Sequence, residues 1–180
     1  MSAADAASPD AAADATTAVA STGLVERLIT EGRSVAVAES LTGGALLAEL
    51  IRVPGASAVV RGGVVAYDTA LKHSLLGVDA GLLAAAGPVD RAVAGAMAEG
   101  VRAVAAVGGH PADWGVATTG VAGPDPQGAA PVGLVYVAVA DAQRTLVREH
   151  RFSGDRAAVR RQAVAAALVL LADALDGAAA

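Results

Sequence analysis

The chain has 180 residues and a mass of 17.4 kDa, the length of one domain, which argues against a separate lid or cofactor module. Hydrophobic residues make up 54% and charged ones 17%, yet aromatics only 2%, so a core must be assembled from closely packed Ala, Val and Leu. The absence of cysteine excludes disulfides, a thiol nucleophile and thiolate-bound metal, and the net charge of −5 argues against a basic nucleic-acid-binding face.

Residues 1 to 20 are, apart from Met1 and Val19, Ala, Asp, Ser and Thr with one Pro, and this low complexity predicts a disordered tail ahead of a domain at 21–178. Asp5, Asp10 and Asp14 stand where a secretory signal would carry basic residues, and no apolar run approaches the ~20 residues of a membrane span, so a cytoplasmic protein is expected. From Thr22 the period becomes helical, with Leu24, Val25, Leu28 and Ile29 on one stripe and Gly32 as the stop. A short strand over 34–38 breaks at Glu39-Ser40-Leu41-Thr42-Gly43-Gly44, and a helix follows to about Arg52, ended by Pro54-Gly55. Residues 58–67 read as a strand in which Gly62-Gly63 marks a bulge or a close backbone approach. Asp68 is placed to cap the next helix, and Asp90 a long one ending at Gly108-Gly109. Residues 114–119 form a strand that feeds a Gly/Pro-rich loop at 120–128. Strands at 133–140 and 145–152 make a hairpin, and Asp155 caps a final helix to about Leu175. Helices interleaved with strands predict an α/β fold, a three-layer α/β/α single domain with a mixed, mostly parallel sheet.

In such sheets function collects at the carboxyl ends of strands, which here selects the loops 39–44 and 118–128. Ser40 follows a strand and precedes two glycines opening a helix, so its hydroxyl can project beside free backbone N–H groups, an arrangement suited to holding an oxyanion. The plainer alternative is that Ser40 or Thr42 caps that helix. Of the 13 basic residues only Lys72 is a lysine, in a chain whose coding bias favours Arg, and this singles it out for a task needing a deprotonatable amine. Beside a serine, a lysine whose pKa is lowered by burial can act as general base. A solvated Lys72 and a core Tyr67 remain the alternative. Thr118-Thr119-Gly120 enters a loop able to hold a phosphate or an oxyanion, or serving only as a connection. Arg156 and Arg160 share a helix face and can meet a phosphate, although such pairs are often surface charges. The three histidines, His73, His110 and His150, lie too far apart in sequence to suggest a metal site.

These segments resemble the C-terminal domain family of the competence/damage-inducible protein CinA, whose stand-alone members include bacterial nicotinamide mononucleotide deamidases. The resemblance covers about residues 22–175. It rests on AESLTGG at 38–44, VPGAS at 53–57, GGVVAYDTALKHSLLGV at 62–78, GPVDRAVAGAMAEGVR at 87–102, TTGVAGPDPQGAAPVGLVYVAVA at 118–140 and FSGDRAAVR at 152–160. It implies hydrolysis of the carboxamide of nicotinamide mononucleotide to nicotinate mononucleotide and ammonia, a pyridine-nucleotide salvage step needing no metal or cofactor. Ser40 would be the nucleophile, Lys72 the base and Tyr67 an orienting or relaying group. Thr119 and Gly120, with Thr42, Gly43 and Gly44, would hold substrate or oxyanion, and Arg156 or Arg160 the phosphate. The chain departs from many relatives at Asp125 to Pro131, where they carry a Gly-Gly-Thr run and a Lys before Pro-Val-Gly. Two further readings stay open: a non-catalytic nucleotide-binding or competence-linked interaction module, and an amidohydrolase for another small amide. The Ala-rich helices at 90–107 and 155–175 predict a homo-oligomer, and neither nucleic acid nor membrane is expected as a partner.

Overall fold

The computed structural model describes residues 9–177. Its elements are α1 (Pro9–Glu31), β1 (Val35–Glu39), α2 (Ala45–Ile51), a 3-10 turn (Ala56–Ala58), β2 (Val60–Val65), α3 (Thr69–Ser74), α4 (Ala80–Ala86), α5 (Arg91–Val104), β3 (Trp114–Gly120), β4 (Leu134–Ala140), β5 (Thr145–Arg151) and α6 (Arg156–Leu175). The strands form one sheet in the order β2-β1-β3-β4-β5. β1 pairs in parallel with both β2 and β3, whereas β4 is antiparallel to β3 and to β5. Only β4 therefore runs against the other strands, in a mixed α/β/α sandwich.

The period of two in the strands divides the core by side-chain size. Val35 and Val37 of β1, Trp114 and Val116 of β3, and Val135, Val137 and Val139 of β4 face the layer of α1, α2 and α6. Ala36 and Ala38, Ala117, Ala138 and Ala140 face α5. The alanine face lets α5 approach very closely: a Cβ added to Gly115 would lie 2.0 Å from the Ala98 carbonyl oxygen, inside any real contact. Asp68, Asp79, Asp90 and Asp155 each accept a backbone N–H at the start of a helix.

Three expectations are corrected. The tail predicted over 1–20 is helical from Pro9 onward, and residues 1–8 lie outside the described residues. Alanine has the highest helix propensity, and adding turns to a docked helix carries no nucleation cost. The docking is visible where Ser21 Oγ donates to Glu49 Oε1 (2.7 Å) and Arg52 Nη2 to the Ala18 carbonyl (2.9 Å). The segment after Asp68 divides into α3 and α4 at Gly77, which adopts φ +69°. The helix from Asp90 ends at Val104, and Gly108-Gly109 instead makes a turn closed by the Val107–His110 pair. In β2 the extra residue is Arg61, since Val35 pairs with Val60 and Ala36 with Gly62. Gly63 is the close approach, where a Cβ would lie 2.7 Å from the Val37 oxygen.

Candidate active site

Parallel pairing of β1 with β3 sets Glu39 opposite Thr118, so the loops after both strands emerge side by side. The turn holding Ser40 is fixed from several directions. Ser40 N–H donates to the Thr118 carbonyl (3.0 Å), and Gly43 N–H to the Ser40 carbonyl (3.1 Å). Arg160 donates through Nε to the Leu41 carbonyl (2.9 Å) and through Nη2 to that of Thr42 (2.7 Å). The Glu39 carboxylate, only 1% exposed, accepts from the N–H groups of Gly44 (3.0 Å), Leu46 (3.1 Å) and Leu47 (2.8 Å). It thereby takes up the start of α2, whose N-cap Gly44 has no side chain to do so. The Ser40 hydroxyl is half-buried and makes no hydrogen bond among the described residues.

Lys72, in α3, is 1% exposed, and its Nζ donates to the Ala66 carbonyl (2.9 Å). The N–H of Ala66 in turn donates to the Glu39 carbonyl (2.8 Å), which ties this segment to the end of β1. Burial disfavours the ammonium and brings the Lys72 pKa from 10.5 down to about 8, against the opposing pull of the Asp68 charge.

Ser40 and Lys72 open on one cleft of about 270 Å³ at the carboxyl ends of β1 and β3, with Tyr67, Thr119, Gly120 and Arg156 on its walls. Arg156 spans the rim, donating through Nη2 to the Tyr67 hydroxyl (2.6 Å) and through Nη1 to the Gly123 carbonyl (2.8 Å). Leu41, Ala122 and Gly123 also line the cleft, and their amide N–H groups donate to no acceptor among the described residues. Ser40 and Lys72 make no direct hydrogen bond with each other, and both line the same cleft. Among the described residues no cluster of His, Asp and Glu could hold a metal, and no helix is long and apolar enough to cross a membrane.

The structure brings together Ser40, Lys72, Tyr67, Thr119, Gly120 and Arg156, and it moves other predicted residues off the cleft wall. Thr42 is fully buried with its hydroxyl spent on Thr118 Oγ1 (2.7 Å), and Gly43 and Gly44 have committed their N–H groups to Ser40 and Glu39. Arg160 braces the turn from behind instead of facing a phosphate in the cleft. Thr119 donates its hydroxyl proton to the Pro88 carbonyl (2.7 Å), which leaves it able to accept but not to hold an oxyanion. Glu39 was not singled out by the sequence, although a carboxylate just ahead of a glycine-opened helix is a recognisable signal.

The CinA C-terminal domain family matches residues 17–175. A "CinA-like protein" of Frankia casuarinae is 49% identical over 150 residues, covering 83% of this chain and 34% of its own length. A "putative competence-damage inducible protein" of Desulforamulus reducens is 46% identical, covering 84% and 36%. The chain thus spans about a third of the length of these relatives. Among solved structures, a CinA superfamily protein from Klebsiella pneumoniae superposes with a TM-score of 0.84 at 32% identity, covering 89% of this chain and 98% of that one. A competence/damage-inducible protein from Agrobacterium tumefaciens gives 0.77 at 36%, covering 87% and 96%. A family match over residues 17–175, joined to relatives at 46–49% identity and to the shared fold, establishes that the chain belongs to the CinA C-terminal domain family.

Proposed function

We propose that the chain hydrolyses the carboxamide of nicotinamide mononucleotide through a Ser–Lys mechanism, releasing ammonia and nicotinate mononucleotide. The observation that carries this reading is an unpaired Ser40 hydroxyl sharing a cleft with a buried lysine of pKa about 8. With one N–H committed to the Ala66 carbonyl, the neutral Lys72 amine keeps its lone pair for a proton. Lys72 takes the Ser40 proton as Oγ bonds to the carboxamide carbon. That proton passes to the leaving nitrogen as the C–N bond breaks, giving ammonia and an acyl-Ser40 ester. Water then attacks the ester carbon, Lys72 accepting its proton and returning it to Oγ. The free N–H of Leu41 is the donor for the oxyanion formed in each half, and Arg156 the group for the phosphate.

The test is ammonia release from nicotinamide mononucleotide by the wild type, Ser40→Ala and Lys72→Ala, with the product identified by mass. Turnover in the wild type and loss of at least about a thousandfold in both variants is expected. Binding without ammonia release overturns the enzyme reading in favour of a nucleotide-binding module, and turnover of another small primary amide instead renames the substrate.

A further inference from the structure

The loop between β3 and β4 carries an acidic group that the hydrolysis does not use. Asp125 and Gln127 both line the cleft, and the Asp125 carboxylate has neither hydrogen bond nor ion pair among the described residues. The backbone around it is held stiffly. Pro124 and Pro126 flank it, each with a fixed φ, and Gln127 and Ala130 exchange both backbone hydrogen bonds (3.0 Å each). Gly133 N–H closes the base of the loop on the Val121 carbonyl (2.8 Å), and Val132 packs onto Gly123. Asp125 is exposed at the mouth of the cleft, and the braced backbone limits how far its short carboxylate can travel.

Its neighbours indicate what it meets. Arg156 is fastened to the Gly123 carbonyl, two residues before Asp125, and both residues line the cleft. Lys72, at the reacting end, is anchored on the Ala66 carbonyl, whereas Asp125 rides on the β3–β4 loop that Arg156 fastens. A bare carboxylate beside a phosphate site repels its ligand unless hydroxyl groups stand between them. A ribose 5′-phosphate supplies that pattern, an anion for Arg156 and, on the adjoining ring, hydroxyl donors for a carboxylate, which ionised can only accept. Resting on the amidase reading, we propose that Asp125 is a specificity-determining residue that accepts the ribose hydroxyls of the substrate and selects ribonucleotides over deoxyribonucleotides.

The experiment compares kcat/KM for nicotinamide mononucleotide and its 2′-deoxy analogue in the wild type and Asp125→Ala. Charge-assisted hydrogen bonds of this kind give an expected preference for the ribonucleotide of at least about tenfold in the wild type. In Asp125→Ala that ratio falls to near one, because the loss in kcat/KM on the ribonucleotide exceeds any loss on the deoxy analogue by about the factor of the wild-type preference. Equal losses on both substrates, or no preference in the wild type, overturn the proposal. Should the wild type turn over neither, calorimetric binding of the same two nucleotides to the wild type and Asp125→Ala decides. A ribonucleotide preference that vanishes in Asp125→Ala upholds the ribose assignment without the amidase, and equal affinities overturn it.

Discussion

Lys72 is the residue on which chemistry and stability pull in opposite directions. As general base it must be neutral, so kcat/KM for the amide rises with pH and levels off above about 8, measured in a pH–rate series with the free nucleotide. Asp68 opposes that neutrality, and Asn caps a helix about as well as Asp. Asp68→Asn therefore keeps α3 intact while removing a charge that favours the ammonium, and its pH–rate profile moves toward lower pH; an unmoved profile would refute the coupling. The same burial has a stability counterpart. Between pH 8 and 10.5 the unfolded chain still holds the Lys72 proton and the folded chain has released it, so stability rises with pH across that window by about 3 kcal/mol. Below pH 8 the buried ammonium is a standing cost. Lys72→Met, unbranched, slightly shorter and uncharged, is expected to gain about 1–2 kcal/mol in urea unfolding at pH 7, after the loss of the bond to Ala66, and to lose the alkaline rise. Lys72 was legible in the sequence because a chain that writes its cations as arginine kept one lysine. Arg160 was misplaced because a four-residue spacing says that two side chains share a helix face, not what that face meets.

At the level of elements, α2 has only seven residues and begins at a left-handed Gly44, so its first turn depends on a carboxylate reaching in from β1. Glu39→Gln keeps the shape but offers one acceptor oxygen and turns an NH2 toward backbone donors. A loss of about 2–3 kcal/mol in thermal or urea unfolding is expected, with a fall in kcat at nearly constant KM as the Ser40 turn loosens. Three of the four aspartate caps, Asp68, Asp90 and Asp155, were legible because each acts two or three residues ahead in the chain, where local sequence carries the whole interaction. Glu39 acts from the end of a strand on N–H groups five to eight residues later, and only the fold brings them together. The start of α1 escaped for the complementary reason: alanine-rich sequence reads as featureless until a helix is already docked and can be extended through it.

For the whole molecule, the division of the sheet into a valine face and an alanine face determines where change is tolerated. Gly115→Ala drives a methyl group into the Ala98 carbonyl and is expected to cost about 3 kcal/mol, read from the shift in denaturation midpoint, whereas Val137→Ile on the opposite face should cost less than half of that. The layered architecture and the two strand-end loops were legible from periodicity, because alternation and length survive without knowledge of partners. Which loop atoms line the cleft was not, since that depends on hydrogen bonds made across the sheet. Lys72 also sets how the folded protein meets amine-directed reagents. Acylating labels, aldehyde cross-linkers and amine-coupled surfaces find no lysine on the exterior, since the one ε-amine in the chain is enclosed. A bulky amine reagent reaches no ε-amine of the folded chain, while one small enough to enter the cleft finds Lys72, so that among side-chain amines a general chemistry becomes a site-selective one.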